Sequence, residues 1–344
     1  MISHAALSND LTAAFFLRPD DRSWLKDLLG GQVQFDVPME RYTTLGVGGP
    51  ADALATPTDT RTLEKLVSGA DQRSIPWLVV GGGSNLLVKD GGIRGIVILL
   101  GAHYKGIAET GSDAARPKLR VKAGTRLSTL CRYTIDHGLA GLGFALGIPG
   151  SVGGSILMNA GTAGGSIQDV LTSVSVLWPG GRIERIEKKD LVFGYRRLTL
   201  PGWEVTPRSG EINDNRKGVI VDGVFVFEPG DAGQLKSDAR RIKKERRQRQ
   251  PLGKASAGCF FKNPVDHPPA GRLIDLAGLK GNRVGDAQVS MQHGNFIINR
   301  GKACAADILN LAEIIENQVL ARFGVQLEPE VIIVGESNHA TKSI

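Results

Sequence analysis

The chain has 344 residues, 41% hydrophobic and 22% charged, which excludes a disordered protein and gives enough length for two or three packed units. Its net charge of +7 suits an anionic ligand at least as well as a nucleic acid and selects neither. Cys131, Cys259 and Cys304 are odd in number, far apart and without a CxxC spacing, which argues against a disulfide framework and a cysteine-rich zinc site, so no metal is expected.

The N-terminus lacks a basic start followed by an apolar run, and no stretch approaches the roughly 20 apolar residues of a membrane span. A reducing cytoplasm is the expected setting. From residue 51, "ADALATPTD" predicts a strand running into a helix start, and "TRTLEKLVSGA" carries Leu63, Leu66 and Val67 at helical spacing. "IPWLVV" (75–80) reads as a buried strand ending in the turn-rich loop "GGGSNLLVKDGG", before another strand at "GIVILL" (95–100).

"LRVKAGT" (119–125) alternates as a strand, and "LSTLCRYTIDHG" (127–138) predicts a helix that stops at Gly138 with Cys131 in its apolar set. Residues 171–228 read as mostly β, with a hairpin around Pro179-Gly180-Gly181. At Asp231 the texture changes to a charged helix that ends at Pro251, and a domain boundary is expected there. Beyond it come a short helix at "AGRLIDLAG", a strand at "NFIIN" (295–299), a helix burying Ile308, Leu311, Ala312, Ile315 and Val319, and a last strand at "PEVIIVG" (329–335). Strands and helices are mixed in both halves, which gives an α+β or mixed α/β class.

Glycine is about twice as frequent as in average proteins, at 45 residues, and the excess is clustered. Gly81-Gly82-Gly83 followed by Ser84-Asn85 can turn backbone N–H groups into one concavity suited to a pyrophosphate, or can be a tight turn between strands. The stretch "GLGFALGIPGSVGGSILMNAGTAGG" (141–165) has nine glycines and almost no charge. It is too irregular for a helix and too long for a hairpin turn, so a flat, partly apolar ligand is expected against it. Neither cluster has the GxGxxG spacing of a dinucleotide-binding βαβ unit.

"YTTLGVGGPADALATPTD", "VVGGGSNLLVKDGGIRGIVI", "GIPGSVGGSILMNAG", "FGYRRL", "SAGCFFKNP" and "LEPEVIIVG" resemble, in order and spacing, the motifs of the UDP-N-acetylenolpyruvoylglucosamine reductases. The resemblance runs from about residue 32 to 336 and implies an FAD-binding PCMH-type unit of two subdomains followed by a smaller α/β substrate-binding domain. The expected division is an extension (1–31), the FAD unit (32–230), the substrate domain (231–336) and a tail (337–344), with the strand near 329–335 free to pack back on the FAD unit. No insertion separates Lys236 from Lys254, which fits the shorter, second type of the family.

The resemblance also implies the reaction: NADPH reduces non-covalently held FAD, which reduces the enolpyruvyl ether of a UDP-sugar to give UDP-N-acetylmuramate. It assigns cofactor contacts to Gly46, Gly48, Gly81, Gly82, Gly83, Ser84, Asn85, Leu86, Gly147, Ile148, Pro149, Gly150, Gly153, Gly154 and Asn159. Substrate contacts fall on Tyr195, Lys262, Asn263, Gln292 and Asn295.

Adding hydride to an enol ether that bears a carboxylate pushes negative charge onto that carboxylate, so the site needs a cation there and an acid at the neighbouring carbon. At family positions, Arg196 would clamp the carboxylate, Glu330 would assist as a hydrogen-bonding acid or orienter, and Cys259 would deliver the proton. Taken alone, Cys259 also reads as a small core residue, Arg196 as a surface cation and Glu330 as a strand-edge carboxylate. The family commonly has serine where Cys259 stands. A thiol is the stronger acid, but a nearby Arg196 would favour the thiolate and deplete the donor.

Two departures stand out. Leu198 replaces a hydroxyl that would support Arg196, and Gly143 replaces a frequent acidic residue. The polar segment 199–218 reads as a surface excursion. Seven cations between Arg240 and Arg249 raise a nucleic-acid reading, but no interleaved aromatics accompany them and such runs are usually solvated. They also suit the steering of a dianionic pyrophosphate. Rival classes are another flavin oxidase on the same fold and a basic nucleic-acid binder, and no obligate protein partner is expected.

Overall fold

The structure, a computed structural model, describes residues 17–111, 113, 115–201 and 218–338. The chain opens with helix α1 (Pro19–Leu29), which has proline at its start, Asp20 and Asp21 in its first turn, and Leu25 and Leu29 buried. Strands β1 (Val33–Pro38) and β2 (Pro50–Ala55) follow, then helix α2 (Thr60–Gln72). The Asp59 carboxylate caps α2 by accepting from Thr62 N at 2.7 Å. Trp24 of α1 packs onto α2 at Gly69, where the indole leaves no room for a side chain. Residues 17–31 are therefore part of the first core and not an extension.

Strands β3 (Trp77–Val80), β4 (Leu86–Val88) and β5 (Ile93–Leu99) complete the first layer. The sheet order is β1-β2-β5-β3, with β5 parallel to both β2 and β3. One face packs on α1 and α2 and the other on β4.

The second subdomain is an antiparallel sheet of β6 (Ile107–Glu109), β7 (Lys118–Lys122), β8 (Leu171–Leu177), β9 (Ile183–Glu187) and β12 (Val219–Val226). The expected hairpin joins β8 to β9. Helices α3 (Leu127–Asp136) and α4 (Val152–Leu157) lie on the sheet, and Cys131 is buried among its core residues. A small hairpin of β10 (Val192–Gly194) and β11 (Arg197–Thr199) projects toward α4. Most of the expected excursion, from 202 to 217, lies outside the described residues.

Helix α5 (Ala232–Arg249) starts at Asp231, whose carboxylate accepts from Gln234 N at 2.6 Å. It buries Ala239 and lays Ile242 against the core of the second subdomain. A boundary at 231 therefore cuts through packed side chains, and the division these contacts favour lies near Pro251. The C-terminal unit holds α6 (Ala270–Leu276), an antiparallel sheet of β13 (Arg283–Val284), β14 (Ala287–Val289) and β15 (Ile297–Asn299), and helix α7 (Ala305–Phe323). Ile308, Leu311, Ala312, Ile315 and Val319 are buried as their spacing predicts.

Several contacts fasten this unit to the first, among them a capping carboxylate and a strand pair. Asp90 accepts from Ala305 N and Ala306 N at 2.8 and 2.9 Å at the start of α7. The last strand, β16 (Ile332–Val334), lies parallel to β4, pairing Ile332 with Leu86 and Val334 with Val88. The chain thus returns to the glycine loop that precedes β4.

Candidate active site

The loop from Gly81 to Asn85 leaves β3 and meets the loop from Gly147 to Ser151. Ser84 Oγ donates to Pro149 O at 3.2 Å, and a Cβ on Gly82 would come within 2.9 Å of Gly150 Cα. Only glycine permits this approach. The N–H groups of Gly82, Gly83, Ser84 and Asn85 donate to no acceptor among the described residues. Four free donors in a concave glycine loop fit a pyrophosphate, so these residues suit FAD.

Several of the expected cofactor positions are also constrained by packing. Leu86 is 8% exposed and pairs with Ile332, so its side chain belongs to the core. Gly48 faces Val88, Gly83 faces the Tyr42 carbonyl and Gly153 faces Ala123, each with no room for a Cβ. Gly46 borders Asn299, whose Nδ2 donates to Leu45 O at 3.0 Å. Ile148 leans on the second core, while Gly147 in the loop and Gly154 in α4 remain exposed. Asn159 is buried, and both ends of its amide are bonded within the protein.

Arg196 occupies the turn of the β10–β11 hairpin. Its Nη1 donates to Gly161 O at 2.8 Å, and its Nε stands 2.8 Å from Glu330 Oε1, an ion pair in which the Nε–H is not aligned for a hydrogen bond. Leu198 is fully buried and supports the core, and the polar partner Arg196 has on this side is the Gly161 carbonyl. At Gly143 nothing lies within 4 Å of an added Cβ, so the backbone there has room for a side chain.

Cys259 and Glu330 are brought together by backbone pairing. Glu330 N donates to Phe260 O and Lys262 N to Glu328 O, both at 2.8 Å. Asn85 Nδ2 donates to Glu330 O at 3.0 Å, tying the glycine loop to the same strand. Three segments far apart in sequence therefore meet at one place.

Burial pushes the Cys259 thiol up to about 11, and the Glu330 carboxylate adds to the rise while Arg196 and Arg246 oppose it. Burial and the carboxylate win, so the expected depletion of the thiol by Arg196 does not hold. Burial also raises Glu330 above the usual carboxylate range despite the Arg196 and Lys262 charges. The site thus keeps a protonated thiol beside a charge pair.

A cavity of about 300 Å³ opens from Cys259 and is lined by Asn263, Arg272, Asp275, Lys280, Gln292 and His293 among others. Asn263 Oδ1 accepts from Ala270 N, and Gln292 Nε2 donates to Arg247 O. Lys262 pairs with Glu328 at 3.2 Å, and Tyr195 is 57% exposed with the Arg196 guanidinium over its ring. Asn295 differs from expectation. It borders the cavity but is 2% exposed, accepting from Phe261 N and donating to Phe261 O at 2.9 and 2.8 Å. Its polar atoms hold the "FFKNP" strand in place.

Arg272, Asp275, Lys280 and His293 were missed in the sequence because Arg272 and Asp275 look like a surface i,i+3 pair on a short helix. Lys280 pairs with Asp275 at 3.1 Å, and burial together with Lys280 lowers the His293 pKa, keeping its imidazole neutral. Arg246 was read only as part of a charged run. It is half-buried against Gly147, with burial lowering its pKa.

A family profile described as an FAD binding domain matches residues 51–187, and one described as the UDP-N-acetylenolpyruvoylglucosamine reductase C-terminal domain matches residues 250–334. The UDP-N-acetylenolpyruvoylglucosamine reductase of Desulfosudis oleivorans is 48% identical over 92% of this chain and 98% of that protein. The reductase of Syntrophus aciditrophicus is 41% identical over 91% and 95% of the two chains. The crystal structure of the Thermus caldophilus reductase, 36% identical, superposes with a TM-score of 0.70 over 87% of this chain and 98% of that one. With its glycine cradle and its converged thiol, guanidinium and carboxylate, the chain belongs to the UDP-N-acetylenolpyruvoylglucosamine reductase family.

Proposed function

We propose that Cys259, Arg196 and Glu330 carry the chemistry of this family in the chain, the NADPH-dependent reduction of UDP-N-acetylenolpyruvoylglucosamine to UDP-N-acetylmuramate for peptidoglycan. Bound FAD supplies the hydride, taken from NADPH, for the terminal carbon of the enolpyruvyl double bond. Arg196 holds the substrate carboxylate as charge moves onto it, a task that suits the planar fork of a guanidinium. Glu330 fixes the guanidinium from the opposite side. The Cys259 S–H bond breaks and its proton goes to the carbon that bears the carboxylate, leaving a thiolate that solvent reprotonates.

The observation that carries this reading is the protonated thiol held in the field of the Arg196–Glu330 pair. An oxidase removes hydride and needs a base, which a thiol raised to about 11 does not provide at neutral pH. Gln292 and Asn263 line the cavity that would take the UDP-sugar, and Arg272 and Lys280 of the same lining would add positive charge for its diphosphate. We place the reaction in the cytoplasm, where NADPH is supplied and thiols stay reduced, so that its product feeds wall growth, cell shape and division. Among the described residues no helix is long and apolar enough to cross a membrane.

The test is anaerobic. NADPH should bleach the yellow holoenzyme, and the enolpyruvyl UDP-sugar should then restore the colour without oxygen. Reduced flavin left untouched by that sugar would defeat the proposal.

A further inference from the structure

We propose that Asn159 is a positioning residue for Arg196, acting by holding the hairpin turn from which the guanidinium projects. The proposal rests on the role given to Arg196 above. Gly194 pairs with Arg197 to close a two-residue turn, Tyr195-Arg196. Of these two only Arg196 has a positive φ, +56°. That is the pattern of a type II turn, whose third position normally takes Gly or Asn. A long side chain persists in such a conformation when its surroundings over-determine it, and such residues cluster at functional sites.

The surroundings here are one short run of chain. Asn159, 6% exposed, donates from Nδ2 to Gly194 O at 3.2 Å, and its Oδ1 accepts from Gln168 N at 3.1 Å. Exchanging the amide O and N would set donor against donor and acceptor against acceptor, so the two neighbours fix its orientation. Two residues on, Gly161 O accepts from Arg196 Nη1 at 2.8 Å. One strand of chain thus grips the turn at its backbone through Asn159 and at its guanidinium through Gly161.

The variant of choice is Asn159→Gly, because Asn159 has φ +39° and glycine accepts that conformation without strain. In the holoenzyme, the return of colour with the enolpyruvyl UDP-sugar should slow by about tenfold or more, in keeping with the cost of a misplaced catalytic group. Bleaching by NADPH and flavin content should stay within about twofold of the parent, since positioning of Arg196 serves only the sugar step. In an Arg196→Lys background the same change should cost less than about threefold, because residues acting through one another are not additive.

Equal slowing of both half-reactions, or loss of flavin, would overturn the proposal by showing a cofactor or folding role. So would penalties that add in the double variant. An Arg196→Lys protein as fast as the parent would overturn the role of Arg196 and this inference together, whereas a slow Arg196→Lys with an unaffected Asn159→Gly would overturn this inference alone. If Asn159→Gly does not fold, Asn159→Asp carries the test. It keeps the acceptor for Gln168 N but sets a carboxylate oxygen against Gly194 O, and it should slow the sugar step with flavin retained.

Discussion

Arg196 and Glu330 lie 134 positions apart in sequence, as 330 − 196, yet their Nε and Oε1 atoms stand 2.8 Å apart with both side chains mostly buried. A pair placed this way, with Gly161 O accepting from Nη1, holds the guanidinium against one wall of the site. Breaking such a pair leaves a buried charge without compensation, so the two residues act as a unit.

Replacing Cys259 by Ala should leave bleaching by NADPH nearly intact and slow recovery of the flavin by the sugar about a hundredfold or more, the scale of a lost general acid. Cys259→Ser should retain much of the activity. Rapid-mixing absorbance of each half-reaction checks this, and an Ala variant as fast as the parent would remove the acid role.

The thiol also sets a pH dependence. Its folded pKa of about 11 lies above the unfolded value, so the stability it contributes is present below pH ~9 and lost as pH rises toward 11. Alkylation of Cys259, followed by site-resolved mass spectrometry, should be slow at neutral pH and rise toward that value. Glu330→Gln removes a charge that raises the thiol, so alkylation should begin at lower pH in that variant. No change between the two profiles would show that Glu330 does not act on Cys259.

Gly82→Ala puts a methyl group 2.9 Å from Gly150 Cα, between two backbones that cannot give way as a flexible side chain could. The apoprotein should stay folded while FAD affinity falls at least about tenfold, a shift of roughly 1.4 kcal/mol. Titration of apoprotein with FAD measures this, and an unchanged dissociation constant would remove the loop from the cofactor site.

Asn295→Ala strips two hydrogen bonds from the buried Phe261 backbone. Each unsatisfied group costs about 1–3 kcal/mol, so the variant should lose at least roughly 2 kcal/mol of stability. Chemical denaturation checks it. A stable variant with a raised KM for the sugar would return Asn295 to the substrate.

The elements were legible because their signals are local. The apolar spacing of α2 and α7 and the Pro179-Gly181 turn each act within a few residues. The six motifs named the family for the same reason: each is a short run whose residue types can be read in place. That Cys259, Arg196 and Glu330 carry chemistry was likewise an expectation from motif positions.

Tertiary structure decided what local signals cannot carry. Whether Cys259 is acid or thiolate depends on the balance of burial and Glu330 against Arg196 and Arg246, charges from three other segments. Asn159 and Asn295 were placed at ligands by the resemblance, and in the folded chain their amides bond Gly194, Gln168 and Phe261. Leu86 and helix α5 were misplaced for a related reason, since which core takes a residue depends on strand pairing and helix packing across the chain. The amino-acid order alone determined the elements and the family. Burial and long-range pairing decided which polar groups remain free to act, because a side chain's chemistry is set by its neighbours in space.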